Sequence, residues 1–415
     1  MEKYKIVLLS DHPLSTSGVG CQSRWLVNGL VNTGKYTFRC LGAAVKHDNY
    51  DIVTVDPDFI IKPTDGFGNR EMLRQILATE RPDVLLLFND PRFFLWVWEM
   101  EDEIHQVCPI AYNHLWDNPP TPKFNHVLYE STDLINCINH PTYEMIHEFF
   151  PEKTNYVPHA LPRELFFPID RQQSLENRRR LIGKEREDHF VIMWISRNAR
   201  RKMPSDILWS FKFFLDALQK KEGHKKATLI MHTDPLDAEG PNLYKVIDLL
   251  EIVDNVVFST KRLNFPEMNV LHNIADISIN KSCNEGFGLP TLEAMQTCKP
   301  IVTIKTGGLT RQVVDHETGE EFGVGLDPEV KTCTGNQICP YIFEDYVSNE
   351  TFANALMKMY EMGPQKREEI GKRAREHALK DYNIDDLIQK WDSSLTQLIT
   401  GWRTNERRKW SIEEL

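Results

Sequence analysis

Glu285 and Glu293 stand eight positions apart around the turn Gly286-Phe287-Gly288-Leu289-Pro290-Thr291. Such a set can bind a phosphorylated sugar. Carboxylates accept hydrogen bonds from hydroxyls, and a glycine turn lets a ligand approach the backbone closely. The alternating run Asp276-Ile277-Ser278-Ile279 reads as a buried strand before the turn. Pro290 suits the first turn of a helix after it, where a missing N–H leaves nothing unpaired. The order strand, loop, helix aims unpaired N–H groups and the positive end of a helix dipole at the space in front, which suits a diphosphate. Glu293, one helical turn in, would take two ribose hydroxyls, and Glu285 would reach a hexose. The plainer alternative is a glycine turn without a ligand, with Glu293 complementing the helix dipole.

A second cluster, Ser196-Arg197-Asn198-Ala199-Arg200-Arg201-Lys202, follows the apolar run 190–195, with Arg197 and Lys202 five positions apart. Fixed cations at the carboxyl end of a strand would meet the negative charge that grows on a departing diphosphate. A solvated basic loop is the alternative. Near the start, Ser15-Thr16-Ser17-Gly18-Val19-Gly20 follows a strand and opens a helix through Trp25, Leu26 and Leu30. Gly18 and Gly20 make either a tight turn or a phosphate cradle. His114 follows a strand and so faces the place where α/β sheets gather ligands; it is either a contact to sugar or acceptor or a structural histidine. Asp11, Asp90 and Asp117 are similarly placed.

The unbroken run Glu285-Gly286-Phe287-Gly288-Leu289-Pro290, with Glu293-Ala294-Met295 after it, resembles the signature of the GT4 glycosyltransferases, retaining enzymes of the GT-B fold. The resemblance implies that Glu285 meets the transferred sugar and that the backbone of Gly286, Phe287 and Gly288 donates to its hydroxyls. It implies that Thr291 meets the phosphates, that Glu293 holds the ribose and that Leu289 belongs to the donor-binding set. Arg197 and Lys202 match the family's arginine and lysine on the leaving diphosphate, Gly18 and Gly20 its first glycine loop, and His114 a histidine over the reacting sugar. The implied reaction moves a sugar from a nucleoside-diphosphate sugar, expected to be a UDP-sugar, to a hydroxyl acceptor on one face of the ring, with no cofactor and no metal.

The rest of the chain has to carry such a site. Its 415 residues suit two domains of about 200 each, and 41% hydrophobic with 26% charged residues is an ordinary globular composition. Short apolar strands alternate with helical stretches, which predicts an α/β fold of two Rossmann-like doubly wound domains facing across a cleft. Predicted strands fall at 5–9, 84–88 and 110–112, then at 190–195, 227–231, 255–258, 276–279 and 300–303. The Pro-containing stretch 157–168 sets the boundary, giving an acceptor domain over 1–168 and a donor domain over 169–383. The apolar stripe Ile384, Leu387, Ile388, Trp391, Leu395 and Leu398 marks a helix within 384–415 that would return to the first domain.

Eight cysteines without a Cys-x-x-Cys pair, and no apolar run long enough for a bilayer, point to the cytoplasm. The net charge of −11 argues against a generally basic nucleic-acid binder. The expected acceptor is a soluble sugar or glycan, or a hydroxylated base in DNA. In the DNA case the basic runs 178–186 and 200–202 would follow a phosphate backbone with Arg403, Arg407, Arg408 and Lys409. Asp56-Pro57-Asp58 offers a rival reading as the metal site of a GT-A transferase, and a non-catalytic GT-B-like binding or scaffold protein is another. Three places depart from the GT4 pattern: His159-Ala160 for Asn-Gly, Arg311 where a glutamate closes the Gly307-Gly308 motif, and an apparent insertion from Cys333 to Tyr346.

Overall fold

The computed structural model describes residues 3–404, so Arg407, Arg408, Lys409 and the end of the expected 384–415 segment lie outside the described residues. The first sheet has eight strands: β1 (Tyr4–Asp11), β2 (Tyr36–Ala43), β3 (Val53–Asp56), β4 (Phe59–Pro63), β5 (Val84–Asn89), β6 (Ile110–His114), β7 (Leu134–Cys137) and β8 (Thr154–Tyr156). Their spatial order is β3-β4-β2-β1-β5-β6-β7-β8, and all neighbours run parallel except β3 with β4. Helices cover both faces, so a central strand has no wet side and reads as a continuous apolar run. In β1, Ile6 and Leu8 enter one core while Val7 and Leu9 enter the core on the opposite face.

The second sheet is built from β9 (Phe190–Ile195), β10 (Ala227–His232), β11 (Val256–Ser259), β12 (Ile277–Asn280), β13 (Ile301–Ile304) and β14 (Gly323–Leu326). These six strands are parallel in the order β11-β10-β9-β12-β13-β14, the doubly wound arrangement of a dinucleotide-binding domain. The expected insertion is an antiparallel hairpin, β15 (Val330–Thr334) with β16 (Ile342–Tyr346).

The chain leaves the first sheet at β8 and reaches the second domain at Phe167, whose N–H donates to Asn269 Oδ1 at 3.0 Å. The helix Ile384–Thr404 crosses back. Its Leu387, Trp391, Leu395 and Ile399 enter the first domain's core beside Ile6 and Leu8, and Tyr36 Oη donates to Asp392 Oδ1 at 2.7 Å. Among the described residues no helix is long and apolar enough to cross a membrane.

Asp56-Pro57-Asp58 is the turn between β3 and β4, at the outer edge of the first sheet. The Asp58 N–H donates to Asp56 Oδ1 at 2.9 Å and the Asp58 carboxylate takes Lys3, so the two carboxylates close a hairpin rather than face the cleft. This, with the doubly wound sheets, removes the GT-A reading.

Candidate active site

Strand order reverses between β1 and β5 in the first sheet and between β9 and β12 in the second. Loops leaving adjacent strands part at such a point and open a crevice at the carboxyl ends. The loops after β9 and β12 carry the basic cluster and the Glu285 turn, and the loops after β1 and β6 carry Gly18 and Asp117.

After β12, Asn280 Oδ1 accepts the Ser282 N–H at 2.9 Å, which bends the chain toward Glu285. The Gly308 N–H donates to the Glu285 carbonyl at 3.0 Å, fixing the turn from below. A Cβ on Gly307 would lie 2.0 Å from that carbonyl oxygen, so a glycine is required there. Gly288 takes φ +91° and caps the helix Leu289–Gln296. Phe287 is a packing residue, wedged between His159 and Tyr382 with ring centroids 5.1 and 5.5 Å away. His159, where the GT4 pattern has asparagine, therefore braces the turn, and burial lowers its pKa to about 3.

Glu285 is 9% exposed. Its Oε2 takes the ammonium of Lys202 and, at 3.3 Å, the Ser282 hydroxyl. Arg201 Nη1 stands 3.9 Å from Oε1 of Glu285 and 4.0 Å from Oδ2 of Asp117. Burial opposes ionisation of Glu285, but the charges of Lys202 and Arg201 outweigh it and hold the carboxyl below the usual range. Asp117 lacks so close a partner, and burial raises its pKa. Two cations of one domain and a carboxylate of the other thus converge on Glu285. A Cβ on Gly286 would come within 2.9 Å of Asp117 Oδ1, so this glycine lets the domains meet.

Asn118, the next residue, ties the domains together. Its amide donates to Thr306 Oγ1 at 2.8 Å and Asp345 Oδ2 at 3.1 Å, while Thr306 Oγ1 contacts the same Asp345 oxygen at 2.8 Å. The hairpin that carries Asp345 also pairs Glu344 with Arg200 and donates the Phe343 N–H to the Pro119 carbonyl at 2.8 Å.

Arg197 stands apart from this cluster. It makes a two-bond pair with Asp237 at 2.7 and 3.0 Å, and its side chain is 63% exposed. Arg201 occupies the place beside Glu285; the sequence shows it only as the middle of a basic run. His114 is 0% exposed, with Nε2 2.8 Å from Tyr129 Oη and the ring stacked on Tyr112. Burial lowers its pKa to about 3, so it is a neutral core histidine of the first domain. The cleft-facing residue of that loop is Asp117.

Thr291 is buried, its hydroxyl donating to the Gly288 carbonyl at 2.6 Å and lying against Gln312. Glu293 Oε2 lies 2.9 Å from His272 Nε2. Ser17 caps the helix Gly18–Asn32 by accepting the Gly20 N–H at 3.0 Å, and it donates to Asp11 Oδ2 at 2.6 Å. A Cβ on Gly18 would come within 3.1 Å of Leu289, which places the first loop at the mouth of the Glu285 turn. Arg311 projects over the Tyr156 ring at 5.7 Å, joining the second domain to the first.

Residues 180–377 match the family model described as glycosyl transferases group 1. A D-inositol 3-phosphate glycosyltransferase of Paenarthrobacter aurescens is 26% identical over 227 residues, 55% of this chain and 48% of that protein. A trehalose synthase of Pyrococcus horikoshii is 26% identical over 132 residues, 32% of this chain and 26% of that protein. The chain therefore spans half or less of the length of these relatives. Sucrose-phosphate synthase from Thermosynechococcus elongatus superposes with a TM-score of 0.71 at 17% identity, covering 96% of this chain and 100% of that one. Anabaena HepE, solved in complex with UDP and glucose, gives 0.68 at 16% identity and covers 96% and 100%. The fold is GT-B.

Proposed function

We propose that this chain, whose residues 180–377 form a glycosyl transferases group 1 domain, is a retaining glycosyltransferase that moves a sugar from a nucleoside-diphosphate sugar to a hydroxyl acceptor. The observation that carries the reading is the buried contact of Lys202 with Glu285, flanked by Arg201 and faced by Asp117 from the opposite domain. A scaffold has no use for four charged groups drawn together at a switch point, where desolvation opposes each of them.

Glu285 contacts the transferred sugar, and the ribose takes Glu293. The acceptor oxygen attacks the anomeric carbon on the face from which the diphosphate leaves. The bond from that carbon to the phosphate oxygen breaks, and the acceptor's proton passes to the departing phosphate. Lys202, Arg201 and the N-terminal end of the helix Leu289–Gln296 meet the charge that develops on the leaving group. These fixed cations do the work that a metal ion would otherwise supply. Uridine diphosphate is the proposed carrier, supported by the UDP in the HepE complex.

The acceptor is a sugar or glycan of the cytoplasm. The basic run that would follow DNA is spent elsewhere: Arg178 bonds the Ile274 carbonyl at 2.9 Å and Asp276 at 3.1 Å, and Arg179 pairs with Glu187. Arg403 pairs with Asp83 at 2.6 Å. A hydroxylated DNA base stays the competing acceptor, to be tested beside the glycans. The experiment is a screen of labelled UDP-sugars against sugars, glycans, lipid vesicles and hydroxymethylated DNA. Transfer to a glycan supports the proposal, and lipid-dependent or DNA-dependent transfer replaces its acceptor.

A further inference from the structure

The carboxylate of Glu293 is not free to turn. His272, on the helix Phe265–Asn273, lies with Nε2 2.9 Å from Glu293 Oε2, and the two side chains are 0% and 14% exposed. The other ring nitrogen, Nδ1, is buried without a hydrogen-bond partner. An unpaired buried N–H is expensive, whereas an idle lone pair on a neutral ring is less so. The neutral tautomer with its hydrogen on Nε2 is therefore favoured, and that hydrogen can only be donated to Glu293. Phe166 holds the imidazole edge-on, with ring centroids 5.7 Å apart.

We infer that His272 is a positioning residue for ribose recognition: it holds Glu293 Oε2 so that Oε1 is presented to the ribose hydroxyls of the nucleoside diphosphate. The inference rests on the proposed role of Glu293. A carboxylate already oriented by a buried donor loses less side-chain freedom when it takes a ligand, so affinity falls when that donor is removed even though His272 never touches the ligand.

The test is calorimetric. UDP, GDP and ADP are titrated into the wild-type chain, and the tightest is compared with its 2′,3′-dideoxy analogue in the wild type, His272→Leu, His272→Asn and His272→Gln. The wild type is expected to prefer the ribonucleotide by about tenfold or more. In His272→Leu most of that preference is lost, while affinity for the dideoxy analogue, which has no hydroxyl for Glu293, stays at the wild-type value. His272→Gln, whose amide nitrogen reaches the same point, restores much of the preference. His272→Asn, whose amide is too short, does not, and it serves in place of the leucine variant should that chain not fold. An undiminished preference in the leucine and asparagine variants overturns the inference while leaving Glu293 at the ribose. A wild type that binds the two nucleotides equally overturns the ribose role of Glu293 and this inference with it.

Discussion

The ammonium of Lys202 and the carboxylate of Glu285 meet at the carboxyl ends of β9 and β12, each side chain 11% exposed. Neither charge would be stable there alone, since an uncompensated buried charge costs about 3–5 kcal/mol when its partner is removed. Arg201 moderates that cost for Glu285, being the second cation within reach.

Replacing the two carboxylates should separate their roles. Glu285→Gln keeps the volume and is expected to lower turnover by about ten- to a hundredfold with little change in nucleoside diphosphate affinity. Glu293→Gln should act mainly on that affinity. Steady-state kinetics beside calorimetry distinguishes them.

The cations are expected to rank differently from their order in the motif. Arg201→Ala should weaken UDP binding by about tenfold, as loss of a charge-assisted contact does, because the guanidinium stands at the Glu285 cluster. Arg197→Ala should change it less, its side chain being exposed and held by Asp237. Calorimetry with UDP on the two variants tests the ranking.

Acid should destabilise the site with a definite sign. The folded-state pKa of Glu285 lies below its usual value of 4.5, so the pair's contribution is fully present above that value. It is lost as pH falls through the lowered folded value. Urea melts of wild type and Glu285→Gln should therefore differ most above about pH 4.5 and draw together as the pH falls below it. A constant difference down to pH 3 would mean that the carboxyl is not held ionised.

The hairpin carries a prediction of its own. Asp345→Ala removes the acceptor shared by Asn118 and Thr306, and it should lower stability by about 2–3 kcal/mol and loosen residues 335–340. Chemical denaturation measures the first effect and limited proteolysis the second.

The sequence made the central strands readable because both faces of β1, β5, β9, β10 and β12 are buried, leaving apolar runs that little else produces. Strands with weaker patterns escaped: β2 interleaves Thr37 and Arg39 with its apolar residues, and β14 contains Gly323 and Gly325. The Glu285 turn was legible because glycines, proline and carboxylates lie side by side in one segment. Asp117 could be placed after a strand but not paired with Glu285, and Asn118 and Asp345 were not visible at all, since their contacts join distant segments that no local spacing encodes. The run from Cys333 to Tyr346 could be seen as extra chain, but not as the strap that joins the basic loop to the first domain. Arg201 was hidden among basic neighbours, and only the fold shows that it reaches Glu285 beside Lys202 while Arg197 turns to Asp237.

The most direct measurement follows labelled sugar and nucleoside diphosphate together. Wild type and Glu285→Gln are incubated with UDP-, GDP- and ADP-sugars and the acceptor panel. The expected result is release of one nucleoside diphosphate with transfer of its sugar in the retained configuration, slowed about ten- to a hundredfold in the variant while diphosphate binding persists. No release from any donor by the wild type, or equal rates in the two proteins, would contradict the account.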